Sequence, residues 1–160
     1  MSQILTLRPA RAEDHEFLYR LFYLTQEVRL HLFYLSQEAK AQLIALIFAG
    51  FECHYQTLAP TADDRLVLLD DEPIGRMIIL QLREEIRLAD LALLPQRRNR
   101  GIGSALIGEL QTESVMTKRP LRLQVSKYDR VLRLYQRLGF YKTDTMDPYL
   151  LLEWSQRFSK

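Results

Sequence analysis

The sequence predicts a mixed α/β (α+β) fold in one domain, with strands and helices in the order βααβββαβαββ. Three observations lead there. The chain has 160 residues, 48% of them apolar, enough to bury roughly two-thirds of the unfolded surface around one core. Its apolar residues recur by twos in some stretches and by threes and fours in others, the periods of strand and helix. No stretch reads as a linker, so residues 1–160 are expected to form a single domain.

The elements follow from local pattern. Ile4 to Arg8 alternates apolar and polar and stops at Pro9, a short strand. Arg11 to Gly50 is helical, with Phe17, Leu18, Leu21 and Phe22 at helical spacing. Within it Phe22-Tyr23-Leu24-Thr25-Gln26-Glu27-Val28-Arg29 returns as Phe33-Tyr34-Leu35-Ser36-Gln37-Glu38-Ala39-Lys40, an offset of about three helical turns. Two copies make no solenoid. Two helices are expected, the second capped by Ser36 and stopped by Gly50. After Pro60 and a turn at Asp63-Asp64, Arg65 to Leu69 and Ile74 to Leu82 flank the turn Asp70-Asp71-Glu72-Pro73 as a hairpin. Glu85 to Leu94 is a further strand, ended by Pro95. Gly101 to Thr117 is an amphipathic helix burying Ile102, Leu106, Ile107 and Leu110. Leu121 to Val125 is a strand, Asp129 to Leu138 a helix, and Phe140 to Thr143 and Tyr149 to Trp154 are the last strands.

Composition excludes several classes. No apolar run approaches the roughly 18–20 residues of a membrane span; the longest, Leu43 to Phe51, is too short. Met1-Ser2-Gln3-Ile4 lacks a basic n-region followed by an apolar h-region, so no signal peptide is expected. Cys53, the one cysteine, makes no internal disulfide and is expected as a buried core thiol. His15, His31 and His54 lack metal-ligand spacing, so no metal is expected. The expectation is a soluble, cytoplasmic protein. Its net charge of +2 hides an asymmetry: residues 97–142 carry 11 Lys/Arg against three acids, leaving the remainder at −6. Such a segment suits either a solvated face or an anionic ligand.

The most informative stretch runs from Leu91 to Ser104: a strand, the turn Pro95-Gln96-Arg97-Arg98-Asn99-Arg100, then Gly101-Ile102-Gly103 opening a helix. Free N–H groups and the positive dipole end at a helix start favour a phosphate. Glycines let it approach the backbone, and arginines add charge and forked donors. A dinucleotide fingerprint would need a third glycine where Leu106 stands, and a Walker loop would need Gly-Lys-Ser/Thr. Neither is present.

Arg98-Asn99-Arg100-Gly101-Ile102-Gly103 resembles the Gln/Arg-x-x-Gly-x-Gly/Ala pyrophosphate loop of the GCN5-related N-acetyltransferase (GNAT) superfamily. Downstream, Leu134-Tyr135-Gln136-Arg137-Leu138-Gly139-Phe140 is similar to that family's Leu-Tyr-x-x-x-Gly-Phe signature. The resemblance extends from Ile4 to Trp154. It implies a mixed, mainly antiparallel sheet of six to seven strands flanked by about four helices, with a splayed parallel strand pair holding acetyl-CoA. It also implies that main-chain groups of Leu91, Ala92 and Leu93 meet the pantetheine arm. Arg98, Asn99, Arg100, Gly101, Ile102, Gly103 and Ser104 would wrap the pyrophosphate. Basic residues between Lys118 and Lys142 would meet the 3′-phosphate.

Tyr135 falls with Val131, Leu134 and Leu138 at helical spacing, which alone describes a core tyrosine. The resemblance implies a general acid for the departing CoA thiolate, a role that an ordinary tyrosine pKa near 10 permits. Asp129 stands at the position of a frequent cofactor-contacting asparagine; it caps a helix but cannot donate as an amide does. The family's frequent base position aligns with Arg87, which leaves Glu85, Asp90 or a water chain to take the amine's proton. Phe17, Tyr19, Phe22, Tyr23, Phe33 and Tyr34 are mostly core, some of them bordering the acceptor pocket.

The implied function is transfer of an acetyl group from acetyl-CoA to a primary amine by direct attack in a ternary complex. The acceptor is a small molecule or peptide, with no nucleic-acid or membrane partner and with a homodimer allowed. The alternative is a non-catalytic acyl-CoA-binding module of the same fold. A nucleic-acid binder would instead show a steep salt dependence.

Overall fold

The structure, a computed structural model of the chain, describes residues 2–30 and 34–156. Its strands are β1 (Leu5–Pro9), β2 (Ala62–Leu69), β3 (Glu72–Gln81), β4 (Ile86–Leu93), β5 (Leu121–Ser126), β6 (Tyr141–Met146) and β7 (Tyr149–Trp154). Its α-helices are α1 (His15–Leu30), α2 (Gln37–Thr57), α3 (Ile102–Thr117) and α4 (Leu132–Arg137). The strands form one sheet in the order β1-β2-β3-β4-β5-β7-β6. β4 and β5 run parallel, whereas β1 with β2, β5 with β7, and β6 with β7 are antiparallel. The element order and the mixed sheet are those the sequence predicts. The chain divides into two compact units, Met1–Ile78 with Asp90–Arg98, and Ile79–Ala89 with Asn99–Lys160.

In the first unit β1 lies on β2 with Leu5 opposite Leu69. Between β2 and β3 only Asp70 and Asp71 remain as turn, with φ of 52° and 64°. A two-residue hairpin turn needs positive φ at both positions, and aspartate tolerates it. Glu72 and Pro73 therefore begin β3 instead of completing a four-residue turn. Asp63 and Asp64, expected as a turn, lie within β2. Each has a guanidinium partner there: Arg65 Nε reaches Asp63 at 3.0 Å and Arg76 Nε reaches Asp64 at 2.9 Å.

Ser36 caps α2 as expected, its hydroxyl accepting from the Ala39 N–H at 3.1 Å. Gly50 does not stop the helix, which runs on to Thr57. A glycine in a helix interior costs only about 1 kcal/mol, and the following turn packs Phe51 on Phe22 and Tyr55 on Phe51, with ring centroids 5.2 and 4.8 Å apart. Cys53 is exposed on this continued helix, not buried. The unit's core joins Leu18, Phe48, Leu66 and Leu68, with Phe17, Tyr19 and Phe22 packed against it. Tyr34 is fully exposed. Phe33 and His31 lie outside the described residues, and with them the start of the second repeat copy.

In the second unit α3 buries Ile102, Leu106, Ile107 and Leu110 as its periodicity predicts. Beside it Leu121, Leu123 and Val125 alternate inward along β5, and β7 contributes Leu152 and Trp154. Helix α4 is shorter than expected. Asp129 to Val131 make a turn before it, in which Asp129 Oδ1 accepts the Val131 N–H at 3.0 Å. The parallel register pairs Ile86, Arg87 and Leu88 with Leu121, Arg122 and Leu123, while β4 continues to Leu93.

Candidate active site

The end of β4 is fixed from the β3 side. The Leu94 N–H donates to Ile74 O at 2.9 Å, and a Cβ on Gly75 would stand 2.5 Å from Ala92 O. Ala92 and Leu94 thus turn their main-chain groups toward β3, and strand alternation turns those of Leu91 and Leu93 to the opposite edge. Of Leu91, Ala92 and Leu93, only Ala92 turns its carbonyl to β3; Leu91 and Leu93 turn their main-chain groups to the other edge.

After Leu94 the chain makes a single 3-10 turn, Pro95–Arg97. Arg98 Nε donates to Leu93 O at 3.0 Å, closing the basic turn back onto the strand. Asn99 (φ 57°) and Gly101 (φ 78°) are left-handed, which brings the chain into α3 at Gly101. The first helical bond there is Ala105 N–H to Gly101 O, 3.0 Å, and no side chain caps the helix start. The N–H groups of Ile102, Gly103 and Ser104 have no intrahelical acceptor, as at any helix start. A Cβ on Gly101 would meet nothing within 4 Å, and one on Gly103 only Leu134 Cδ2 at 3.8 Å. The glycines leave open space before a row of outward N–H groups, a cradle that fits an anionic phosphate. Arg100 enters no ion pair among the described residues and adds its charge at the same turn.

That 3.8 Å approach brings the two sequence motifs together, since Leu134 directly precedes Tyr135. Tyr135 is buried on α4 and its ring packs T-shaped on Phe140, centroids 5.5 Å apart. The Phe140 N–H closes the helix by donating to Tyr135 O at 3.0 Å. Gly139 permits this tight exit with φ 90°, and a Cβ there would stand 3.4 Å from the Trp154 indole nitrogen. Asp129 spends one carboxylate oxygen on the Val131 amide in the turn before α4 and does not cap the helix as expected, since the N-cap of α4 is Val131 and no side chain caps it.

The two carboxylates considered as bases differ sharply. Glu85 is buried and ion-paired with Arg87 through one oxygen and with Arg122 through the other, at 2.5 Å. Asp90 is partly buried and makes no hydrogen bond or ion pair among the described residues. Burial pushes its pKa up to about 6, against the pull of Arg76 and Arg29 and with a push from Asp64. Arg76 is a feature that sequence reasoning missed, although an arginine inside Ile74-Gly75-Arg76-Met77-Ile78-Ile79 is a visible signal. Arg76 is 4% exposed, and its guanidinium pairs with Glu52 and, at 2.7 Å, with Asp64. Burial works to lower its pKa, but the bonds from Asp64 and Glu52 prevail and hold it raised. Nearby in the same unit a cavity of about 360 Å³ is lined by His15, Tyr19, Ala45, Phe48, Ala49 and Glu52. Tyr19 thus borders a pocket, whereas Phe22 belongs to the core.

No helix among the described residues is long and apolar enough to cross a membrane. The Acetyltransferase (GNAT) domain model matches residues 62–142, just over half of the chain. No curated protein sequence matches the chain. Among solved structures, the PaiA N-acetyltransferase of Thermoplasma acidophilum in complex with coenzyme A is similar at TM-score 0.74 and 19% identity, covering 94% of this chain and 98% of that one. The ribosomal-protein-S18-alanine N-acetyltransferase of Escherichia coli is similar at TM-score 0.64 and 19% identity, covering 94% and 92%. A GNAT family acetyltransferase of Elizabethkingia anophelis with acetyl-CoA bound is similar at 0.63 and 19%, covering 93% and 96%. By the domain match and the shared fold, the chain belongs to the GNAT acetyltransferase family.

Proposed function

We propose that this protein is a cytoplasmic, acetyl-CoA-dependent N-acetyltransferase, a single domain over residues 1–160 that acetylates a primary amine of a small molecule or peptide. The observation that carries the reading is the packing of Leu134 against the Gly103 position. It sets the motif bearing Tyr135 beside the uncapped start of α3. Two of the similar structures hold coenzyme A or acetyl-CoA, which supports the same donor here.

In this reading the amides of Ile102, Gly103 and Ser104 bind the pyrophosphate, helped by the α3 dipole and Arg100. Arg98, tied to the Leu93 carbonyl, and Asn99 shape that loop. Leu91 and Leu93 offer main-chain groups to the pantetheine arm. The amine nitrogen bonds to the acetyl carbon, the C–S bond breaks, and the electron pair leaves on sulfur. Tyr135 gives its hydroxyl proton to that sulfur, and the proton that the newly acylated nitrogen must lose restores the tyrosine hydroxyl.

Calorimetric titration with acetyl-CoA, with NAD and ATP as controls, tests the donor. Saturable binding selective for acetyl-CoA is expected. Gly103→Glu should abolish it, because it sets a carboxylate against the phosphates. Tyr135→Phe should keep acetyl-CoA affinity within about twofold while thiol release falls about 10²-fold or more. Unchanged turnover in that variant removes Tyr135 from the mechanism. Binding with no thiol release for any amine would mark a non-catalytic acyl-CoA-binding module.

A further inference from the structure

We infer that the cavity between α1 and α2 is a binding site for a cationic amine that carries an aromatic ring, the ring seated among His15, Tyr19 and Phe48 and the ammonium on Glu52. The cavity measures about 360 Å³, within the roughly 300–1,000 Å³ of small-ligand sites. His15 and Tyr19 stand one helical turn apart on the same face of α1, and Ala45, Ala49 and Glu52 follow one another at the same kind of spacing on α2. The two alanines reach only a methyl group into the gap, which leaves the space between the helices unfilled. All of these residues lie in the first unit. None belongs to residues 91–104 or to the Tyr135 motif, so the site stands whether or not the protein transfers acetyl groups.

The walls favour a ring. Phe48 is buried and meets Tyr19 edge-on with centroids 5.2 Å apart, and His15 at 5.5 Å. His15, Ala45 and Ala49 are exposed, so a ligand ring enters from solvent onto aromatic partners. An ammonium beside those rings gains from their π faces. Charge then selects the sign of the ligand. Glu52 gives Oε1 to Arg76 Nη1, while its Oε2 has no partner among the described residues and is not sealed from solvent. Arg76 does not serve Glu52 alone, because the same guanidinium pairs with Asp64 and attracts Asp90. Even with Arg29, which also attracts Asp90, two cations face three carboxylates, and an incoming ammonium supplies the missing charge. An anion would meet Glu52 with like charge. An uncharged ring would strip water from Oε2 and return no hydrogen bond.

Calorimetric titration with phenethylamine tests the site, with phenethyl alcohol, butylamine and hydrocinnamate as probes that lack the charge, the ring and the sign of the charge in turn. Phenethylamine should bind saturably, and about tenfold or more tighter than any of the other three. Ala49→Leu, a change at an exposed helical position, should abolish that binding by filling the gap. Glu52→Gln keeps an oxygen for Arg76; it should weaken phenethylamine about tenfold and leave phenethyl alcohol unchanged. Thermal melts identify which variant preparations are folded. Absence of saturable phenethylamine binding to the wild type, equal binding of phenethyl alcohol or butylamine, or full phenethylamine binding by folded Ala49→Leu overturns the inference.

Discussion

Asp14 holds its charge in a nearly closed position, 7% exposed. Arg8 donates to both of its oxygens at 2.8 Å, and the Arg11 N–H adds a third bond at 2.8 Å. The Arg8 hydrogen bonds are the chief reason its pKa lies below the ordinary aspartate value, with burial opposing them. A depressed folded pKa means that the stabilisation is complete above the unfolded value near 4 and is lost as pH falls through the lower folded one. Asp14→Asn is expected to lower Tm by a few degrees at pH 7. The gap between variant and wild type should close on acidification to about pH 2, which thermal melts across pH would show. Nothing in Arg8-Pro9-Ala10-Arg11-Ala12-Glu13-Asp14 says which acid Arg8 chooses; the bend of the chain after β1 decides it. Tyr135 was easier, because its i, i+3 neighbours already placed the ring inward. The burial expected of Cys53 fails for the converse reason: it lies past Gly50, where the local pattern ends the helix, so the sequence assigns it no face.

At the scale of elements, β3 and β4 meet most tightly at Gly75. A methyl there would come within 2.5 Å of Ala92 O and 2.6 Å of Leu93 Cδ2. The backbone oxygen cannot retreat without breaking the pairing that includes the Leu94 to Ile74 bond. Gly75→Ala is expected to destabilise the fold by about 2–3 kcal/mol, read by chemical denaturation. Strands and helices were legible here wherever the period was unbroken, as in α3 and β5. Boundaries failed where a partner distant in sequence overruled a local signal. Asp63 and Asp64 look like turn residues until Arg65 and Arg76 are placed beside them. Gly50 looks like a stop until Phe22 arrives to pack on Phe51. The hairpin turn lies where the sequence places it but is shorter, because Pro73 tolerates the first residues of a strand as well as a turn.

Over the whole molecule, the excess of +8 in residues 97–142 is smaller in effect than the count suggests. Arg122 is committed to Glu85 and Glu153, Lys127 to Asp147, and Arg119 to the Leu82 carbonyl and Gln81. These partners stand 20 to 38 residues away, so a one-dimensional charge count cannot discount them. Arg100, Lys118, Arg130, Arg133, Arg137 and Lys142, whose side chains enter no ion pair or hydrogen bond among the described residues, are the portion still able to attract an anion. The family's loop and tyrosine motifs were legible because each depends on residues close in sequence. The Arg76 cluster was not, because it is assembled from α2, β2 and β3. Gly75 and Gly103 leave different imprints on inherited variation. Gly75 is required by the protein's own backbone, so drift at that position is purged by misfolding whatever the cell demands of the enzyme. Gly103 has room for a small side chain; there, under the proposed function, loss of the bound partner is what would hold the residue fixed. A library sorted for abundance alone would therefore deplete variants at Gly75 and retain alanine at Gly103, separating what folding preserves from what work preserves.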